Sequence, residues 1–397
     1  MKTTRNQRQA AQSGKIGVVR RKVWGAALTA VALCATLGFT VPSAQAQTAQ
    51  LKVFGQTKYV HGVNIAWIQN SQGSNYGHDL GYNYVSGYNA NFNKDEVRAY
   101  FADIKKMHCN VARVWLFEGM EGLKLDSYGK VSGVDIGFKS NLNSLMYAAI
   151  QENVAVQLCL VSHDLNEQFG QPVRGDGSGV TGGAPIRNFV TDASAQQAFL
   201  DNAVNPIIKE CLTWSNGGVK SSLFGIDIVN EPQWAVRPYS GKPPVCSWSQ
   251  MHDFLYNVAR RIHSLEGSIQ VGCDGSEEEF RSENHWSRLG GVGLDYYAYH
   301  EYSNSPNLRD FRSSGYTVDK PMLLGEFNAS NSTNQSEDIK GAAISSYITQ
   351  ARDKGYAGSV VWSYRPIGYP DLGITDNGGA WRLGANKMNY WGVQFGT

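Results

Sequence analysis

The chain has 397 residues, with 36 Lys or Arg against 34 Asp or Glu, and 11% of it is aromatic. The first 46 residues hold seven of the basic side chains and no acidic one, so the remainder carries 29 basic against 34 acidic residues. With no run of Lys or Arg in that acidic remainder, there is no surface for tracking phosphates, and nucleic acid is not expected as a partner.

The leader reads as an export signal. A basic stretch with Lys15, Arg20, Arg21 and Lys22 precedes an apolar run at 23–41, and Ala44-Gln45-Ala46 offers small residues for cleavage. We expect residues 1–46 to be a signal peptide cut after Ala46, with the product secreted or periplasmic. Both the Sec and the twin-arginine routes stay open. A permanent membrane anchor would need about 20 apolar residues and no processing site. Residues 47–397 contain no linker, charge block or internal repeat, and are expected to form one domain and a monomer.

Within that domain, short apolar runs alternate with segments of helical period. Strands are expected at 58–65, 111–117, 154–161, 223–229, 268–273, 294–299, 322–324 and 358–363. Helices are expected at 93–107, 138–151, 195–214, 249–265 and 336–354. Eight strand-helix repeats argue for an α/β fold of the (β/α)8 TIM-barrel type with elaborated loops at the C-terminal face of the strands. Parallel strands need helical crossovers, and continuous apolar strands need cover on both faces. An open doubly wound sheet is the alternative. It would favour a Gly-rich phosphate turn after strand one, where the chain instead has Ala66-Trp67-Ile68-Gln69-Asn70.

In a barrel the chemistry gathers at the carboxyl ends of the strands. This register places there Arg113 (strand two), His163 (after three), Asn230 and Glu231 (end of four), His300 and Tyr302 (after six), Glu326 (end of seven) and Trp362 (strand eight). Asn230-Glu231-Pro232 and Gly325-Glu326-Phe327 each set a glutamate beyond an apolar run, and two such carboxylates are the minimum for cleaving a glycosidic bond. The attacking carboxylate must be ionised. A cation such as Arg113 and a hydroxyl such as Tyr302 beside Glu326 would lower its pKa. The proton donor must start protonated, which partial burial near the other carboxylate favours for Glu231. Trp67, Trp234, Tyr364, Tyr369, Trp381 and the loop at 73–91, with Tyr76, Tyr82, Tyr84 and Tyr88, offer flat faces for sugar rings. Asp164, Glu167, Glu118, Glu121 and Asp227 read as loop acids or supporting groups.

With these motifs in this order, the chain resembles glycoside hydrolase family 5, of the clan of retaining (β/α)8 enzymes, over nearly all of 47–397. The resemblance implies that Glu231 is the acid/base, Glu326 the nucleophile and Asn230 the contact to the 2-hydroxyl of the reacting sugar. It implies substrate contacts for Arg113, His163, His300, Tyr302, Trp362, Trp67 and Trp234. Arg113-Val114-Trp115-Leu116-Phe117 and Gly62-Val63-Asn64 are similar to β-mannanases. The implied activity is therefore cleavage of internal β-1,4 links in mannan or glucomannan. A β-1,4-glucanase, an exo-β-mannosidase or transglycosylase, and a silent carbohydrate-binding barrel remain as alternatives.

Five cysteines follow residue 46. Cys159 and Cys211 read as buried free thiols. Cys246 follows strand four and Cys273 ends strand five, which brings a bridge between them within reach in an oxidising compartment. No Cys-x-x-Cys or His-Glu-x-x-His spacing is present, and neither metal nor cofactor is expected.

Overall fold

The computed structural model describes residues 51–68, 80–83, 88–89, 92–162, 186–213, 222–238, 243–275, 289–311, 319–366 and 370–397. All of them fall in one compact unit, Ala44–Thr397. The export signal, His163, Asp164, Glu167, Tyr369 and most of the loop after strand one lie outside the described residues, as do the side chains of Tyr82 and Tyr88.

Eight parallel strands close into a barrel in chain order: β1 (Val60–Ile65), β2 (Val111–Trp115), β3 (Ala155–Val161), β4 (Leu223–Val229), β5 (Gln270–Cys273), β6 (Tyr296–Tyr302), β7 (Met322–Asn328) and β8 (Gly358–Val361). β8 pairs with β1 to complete the ring. Around it pack α1 (Lys94–Lys106), α2 (Ile136–Glu152), α3 (Ala193–Phe199), α4 (Asn205–Leu212), α5 (Gln233–Val236), α6 (Trp248–Leu265), α7 (Glu337–Asp353) and α8 (Leu383–Phe395). Polar residues set the starts of several helices. Asn93, Asp135, Asp192, Ser247 and Ser336 each accept backbone N–H groups of the following turn. No helix among the described residues is long and apolar enough to cross a membrane.

Two expected elements differ. The single helix at 195–214 is broken by a π turn at Leu200–Val204. Pro206 stands in the first turn of α4, has no N–H to give to the preceding turn, and crowds it, so the chain widens there. Helix α8 was not foreseen, because Gly384, Ala385 and Gly392 weaken its apolar pattern. Those small residues let it lie close to Ile374 and His108.

The barrel interior changes character along its axis. At the amino end of the strands, Val60, Val111, Ala155, Phe224, Ala298, Leu323 and Val360 form an apolar plug with Leu51 and with Val53 of a short antiparallel ribbon, Lys52–Val53 paired with Gln56–Thr57. Above it lies a buried polar layer of Asn64, Arg113, Gln157 and Asp227, each 0% exposed. Tyr296 joins the two, with its ring in the plug and its hydroxyl donating to Asp227 Oδ1 at 2.7 Å. Gly272 makes room for that ring, since a Cβ there would fall 2.2 Å from Tyr296 Cε2. The ring is held by Asp227 and Gln157 and has nowhere to go. Gly272→Ala should therefore cost about 2–3 kcal/mol in urea unfolding. A loss under about 0.5 kcal/mol would mean that the ring moves freely.

Strands β6 and β7 run on past their expected ends at 299 and 324, and this extension builds the site. The apolar run stops at His300 and Gly325, but parallel pairing continues to Tyr302 and Asn328. The register shifts between Tyr299 and His300, so that Leu324 pairs with Tyr299 and Glu326 with His300, leaving Gly325 as the extra residue. Leu323 belongs to the plug and Leu324 to the outer core. At Gly325 a Cβ would meet Ala298 and His300 inside the barrel. One residue later strict alternation would turn Glu326 outward, and the bulge returns it to the interior.

Candidate active site

Arg113 is the centre of the site. It rises from β2, is fully buried, and has an acceptor for each of its five N–H groups. Nε donates to Asp227 Oδ2 at 2.7 Å, while Nη1 donates to Asn64 Oδ1 and Glu326 Oε1, each at 2.9 Å. Nη2 donates to Asn230 Oδ1 at 3.0 Å and Asp274 Oδ2 at 2.6 Å. The guanidinium thus fixes Glu326 and turns the oxygen end of the Asn230 amide toward itself. Its charge faces three carboxylates in a volume closed to water, and that arrangement keeps several buried anions tolerable.

Glu326 is held at both oxygens. Its second oxygen, Oε2, accepts from Tyr302 Oη at 2.7 Å and lies 3.5 Å from His300 Nδ1. Arg113 and Tyr302 are the neighbours expected for Glu326, whereas His300 beside it was not expected, and their net effect differs from the expected one. Burial pushes the Glu326 carboxyl up, and His300, Arg113 and Tyr302, which pull it down, do not fully offset that. The expected lowering is therefore replaced by a carboxyl above its ordinary value, because the site is drier than two cations alone would imply.

Glu231 is reached from β4 by a turn. It takes φ +51°, in the left-handed region, and its N–H donates to Asp274 Oδ1 at 2.6 Å. Its Oε1 lies 3.0 Å from His300 Nδ1, and its Oε2 accepts from Trp234 Nε1 at 3.0 Å. With 16% of its side chain exposed, against 7% for Glu326, it is the more accessible of the two carboxylates. One oxygen of each, together with a His300 nitrogen, lies within 4.8 Å of the others. That spacing would also admit a small cation, but Arg113, Tyr302, Trp234 and His300 already present N–H or O–H groups to these oxygens.

Burial works against the imidazolium of His300, but Glu326, Asp274 and Glu231 outweigh it and raise the ring well above the usual histidine range. For Asp274, burial is outweighed by His300 and Arg113, and its carboxyl lies below the ordinary value. Burial dominates at Asp227, which is raised despite Arg113.

Three indoles stand beside this array. Trp67 and Trp362 meet edge to face at 6.1 Å, as do Trp115 and Trp362 at 6.2 Å, and Trp67 lies 6.3 Å from Trp115. Arg113 Cζ sits 4.8 Å from the Trp115 ring centre. Glu118 accepts from Trp67 Nε1 at 2.5 Å, which orients that indole, and Glu121 accepts from the N–H groups of Leu80 and Gly81 and so fixes part of the loop after β1.

The structure thus brings together Arg113, Asn230, Glu231, His300, Tyr302, Glu326, Trp67, Trp234 and Trp362. Other aromatic candidates stand elsewhere. Trp381 donates to Asp103 on α1, and Tyr364 is buried with its hydroxyl on the same carboxylate. The Cys246–Cys273 bridge that the sequence left open is absent. All five described cysteines are free, and the two thiols point to separate carbonyls, of Ala235 and Val229. Sequence reasoning missed Asp274 and placed Asp227 too far from the centre. The signal for Asp274 was its position one residue beyond β5, on the rim where the other candidates lie.

No protein-family model matches the chain. In sequence the chain is similar to the mannan endo-1,4-β-mannosidase of Mytilus edulis, 24% identical over 354 residues, covering 79% of this chain and 86% of that protein. In structure it is similar to the β-mannanase of the blue mussel Mytilus edulis, with TM-score 0.60 and 22% identity over 85% of this chain and 93% of the other. The β-1,4-D-mannanase of Cryptopygus antarcticus gives TM-score 0.59 and 23% identity over 86% and 90%.

Proposed function

We propose that this protein is a retaining endo-β-1,4-mannanase that hydrolyses mannan or glucomannan by double displacement, with Glu326 as nucleophile and Glu231 as acid/base. The observation that carries the mechanism is that one oxygen of each carboxylate lies within 4.8 Å of the other in the Glu231, His300 and Glu326 cluster. Retaining glycosidases hold the two carboxyl groups about 5–5.5 Å apart, whereas inverting enzymes leave about 6.5–9.5 Å for a water.

In the first step a Glu326 oxygen bonds to the anomeric carbon as the C1–O bond breaks, and Glu231 gives its proton to the departing oxygen. In the second, water attacks C1, the Glu326–C1 bond breaks, and the water's proton returns to Glu231. Raised by burial, Glu326 gains from the positive charge that develops on the sugar in the transition state, which stabilises its ionised form when it is needed. Asn230, its amide oxygen held by Arg113, directs its NH2 toward the sugar 2-hydroxyl. Trp362, Trp67 and Trp234 supply faces for the rings.

The mannan assignment is supported by the names of the relatives and by the Arg113–Phe117 motif, whose Trp115 stands beside Arg113 and Trp362. Export after cleavage at Ala46 and action as a monomer belong to the same reading. A comparison of kcat/KM on mannohexaose and cellohexaose, with proton NMR of the first product formed, tests it. The expected results are a ratio above one and initial release of the β anomer. A ratio below one moves the protein to glucan cleavage, release of the α anomer removes the double displacement, and no turnover on any β-glycan leaves a binding barrel.

A further inference from the structure

We propose that Asp274 is a positioning residue of this site, holding the Glu231 backbone in its left-handed turn and fixing the tautomer of His300 so that His300 Nδ1 and the Glu231 carboxyl share one proton. The proposal rests on the reading of Glu231 as acid/base.

Asp274 has three partners on three other segments, and each of its contacts has a consequence. Its Oδ1 accepts the Glu231 N–H at 2.6 Å. A non-glycine residue at positive φ costs on the order of 1 kcal/mol or more unless its surroundings hold it, and this hydrogen bond holds the Glu231 backbone N–H. Oδ2 accepts from Arg113 Nη2 at 2.6 Å, which fixes the carboxylate plane. The same Oδ2 lies 3.3 Å from His300 Nε2, an ion-pair distance. Nε2 makes no hydrogen bond among the described residues, and the carboxylate beside it favours a proton there over a bare lone pair, which leaves Nδ1 to exchange a proton with Glu231 Oε1 at 3.0 Å.

The His300 ring is faced by Glu231 from the turn after β4, Asp274 from the end of β5 and Glu326 from β7. Arg113 from β2 bonds both Asp274 and Glu326. The His300 N–H donates to the Gly275 carbonyl at 2.9 Å, so the backbone beyond Asp274 and the ring it orients move as one piece. The proton shared by Nδ1 and Glu231 is the one delivered to the glycosidic oxygen and regained from water. Without the Asp274 charge, the pair holds that proton less tightly.

The test has two arms. In wild-type protein labelled with nitrogen-15 histidine, with His300 assigned by difference from His300→Asn, Nε2 should remain protonated over the pH range in which Nδ1 titrates. A neutral ring with its bare nitrogen at Nε2 overturns the proposal, and this arm needs neither turnover nor a position-274 variant. In Asp274→Asn, which removes the charge and can accept from the Glu231 N–H or from Arg113 Nη2 but not from both, kcat/KM on mannotetraose should fall about 100-fold. KM should stay within about threefold, and kcat/KM on a dinitrophenyl β-mannoside, whose leaving group needs no proton, should stay within about fivefold. The alkaline limb should move down by about one pH unit, because removing an anion favours proton loss. An equal fall on both substrates with an unmoved limb reduces Asp274 to a scaffold residue and overturns the proposal. Asp274→Glu restores the charge and should return the limb to within about 0.3 unit of wild type, and failure to do so also overturns it. Failure of the underlying reading looks different, since it would appear in wild-type protein as no hydrolysis of β-mannosides.

Discussion

Glu326→Ala is expected to lower kcat/KM on mannan oligosaccharides by about 10⁴- to 10⁶-fold, the scale of losing a covalent nucleophile. The substitution opens space on the face of the sugar that Glu326 occupied, while the proton donor and ring contacts stay in place. Azide should enter that space, restore turnover and leave an α-glycosyl azide. Glu231→Ala should behave differently: with the nucleophile intact, azide meets the glycosyl enzyme from the opposite face and yields the β product. Chromatography and NMR of the two azides decide between the assignments, and a β product from the Glu326 variant would exchange the two roles.

Arg113→Met should be the most destabilising single change in the barrel interior. It leaves Asp227, Asp274 and Glu326 without the cation that all three touch, and breaking a buried ion pair from one side costs about 3–5 kcal/mol. The deficit should depend on pH in a set direction. Asp227 and Glu326 already sit above their ordinary values in the native protein, and losing Arg113 pushes them further and raises Asp274 as well. An acid whose folded pKa is raised destabilises the fold as pH climbs past its unfolded value of about 4. Urea unfolding should therefore show the largest gap between variant and wild type near neutral pH, narrowing as pH falls toward 4. A gap that widens on acidification would mean that the carboxylates are satisfied without Arg113.

The periodicity of the chain carries the barrel and most of the rim, because each strand is apolar on the side that meets the helices and its first polar inward residue marks the approach to the face. The same rule hides what it does not mark. Asp227 lies inside Leu223–Val229 and reads as a polar break in a core strand, with nothing local to reveal that Arg113, Gln157 and Tyr296 converge on it. Asp274-Gly275 looks like turn chemistry. Its importance comes from Glu231 and His300, 43 and 26 positions away, meeting it in space. Glu326 was legible as a rim residue, but its inward aim depends on a pairing shift at Gly325 that no single-strand pattern encodes. The net rise of its pKa depends on burial, which composition does not give.

The five described thiols are all buried, and burial raises the pKa of each, that of Cys246 to about 12. The described part of the molecule therefore has no covalent staple to lose. Reductant has nothing to cut in it, and its resistance to heat or denaturant is a matter of noncovalent contacts alone. The sulfurs also act as silent witnesses to opening. A thiol reagent that waits outside the native protein reports, by its rate of capture, how often each wall of the barrel parts. Cys159 and Cys273 on the strands and Cys211 on a helix would keep separate clocks.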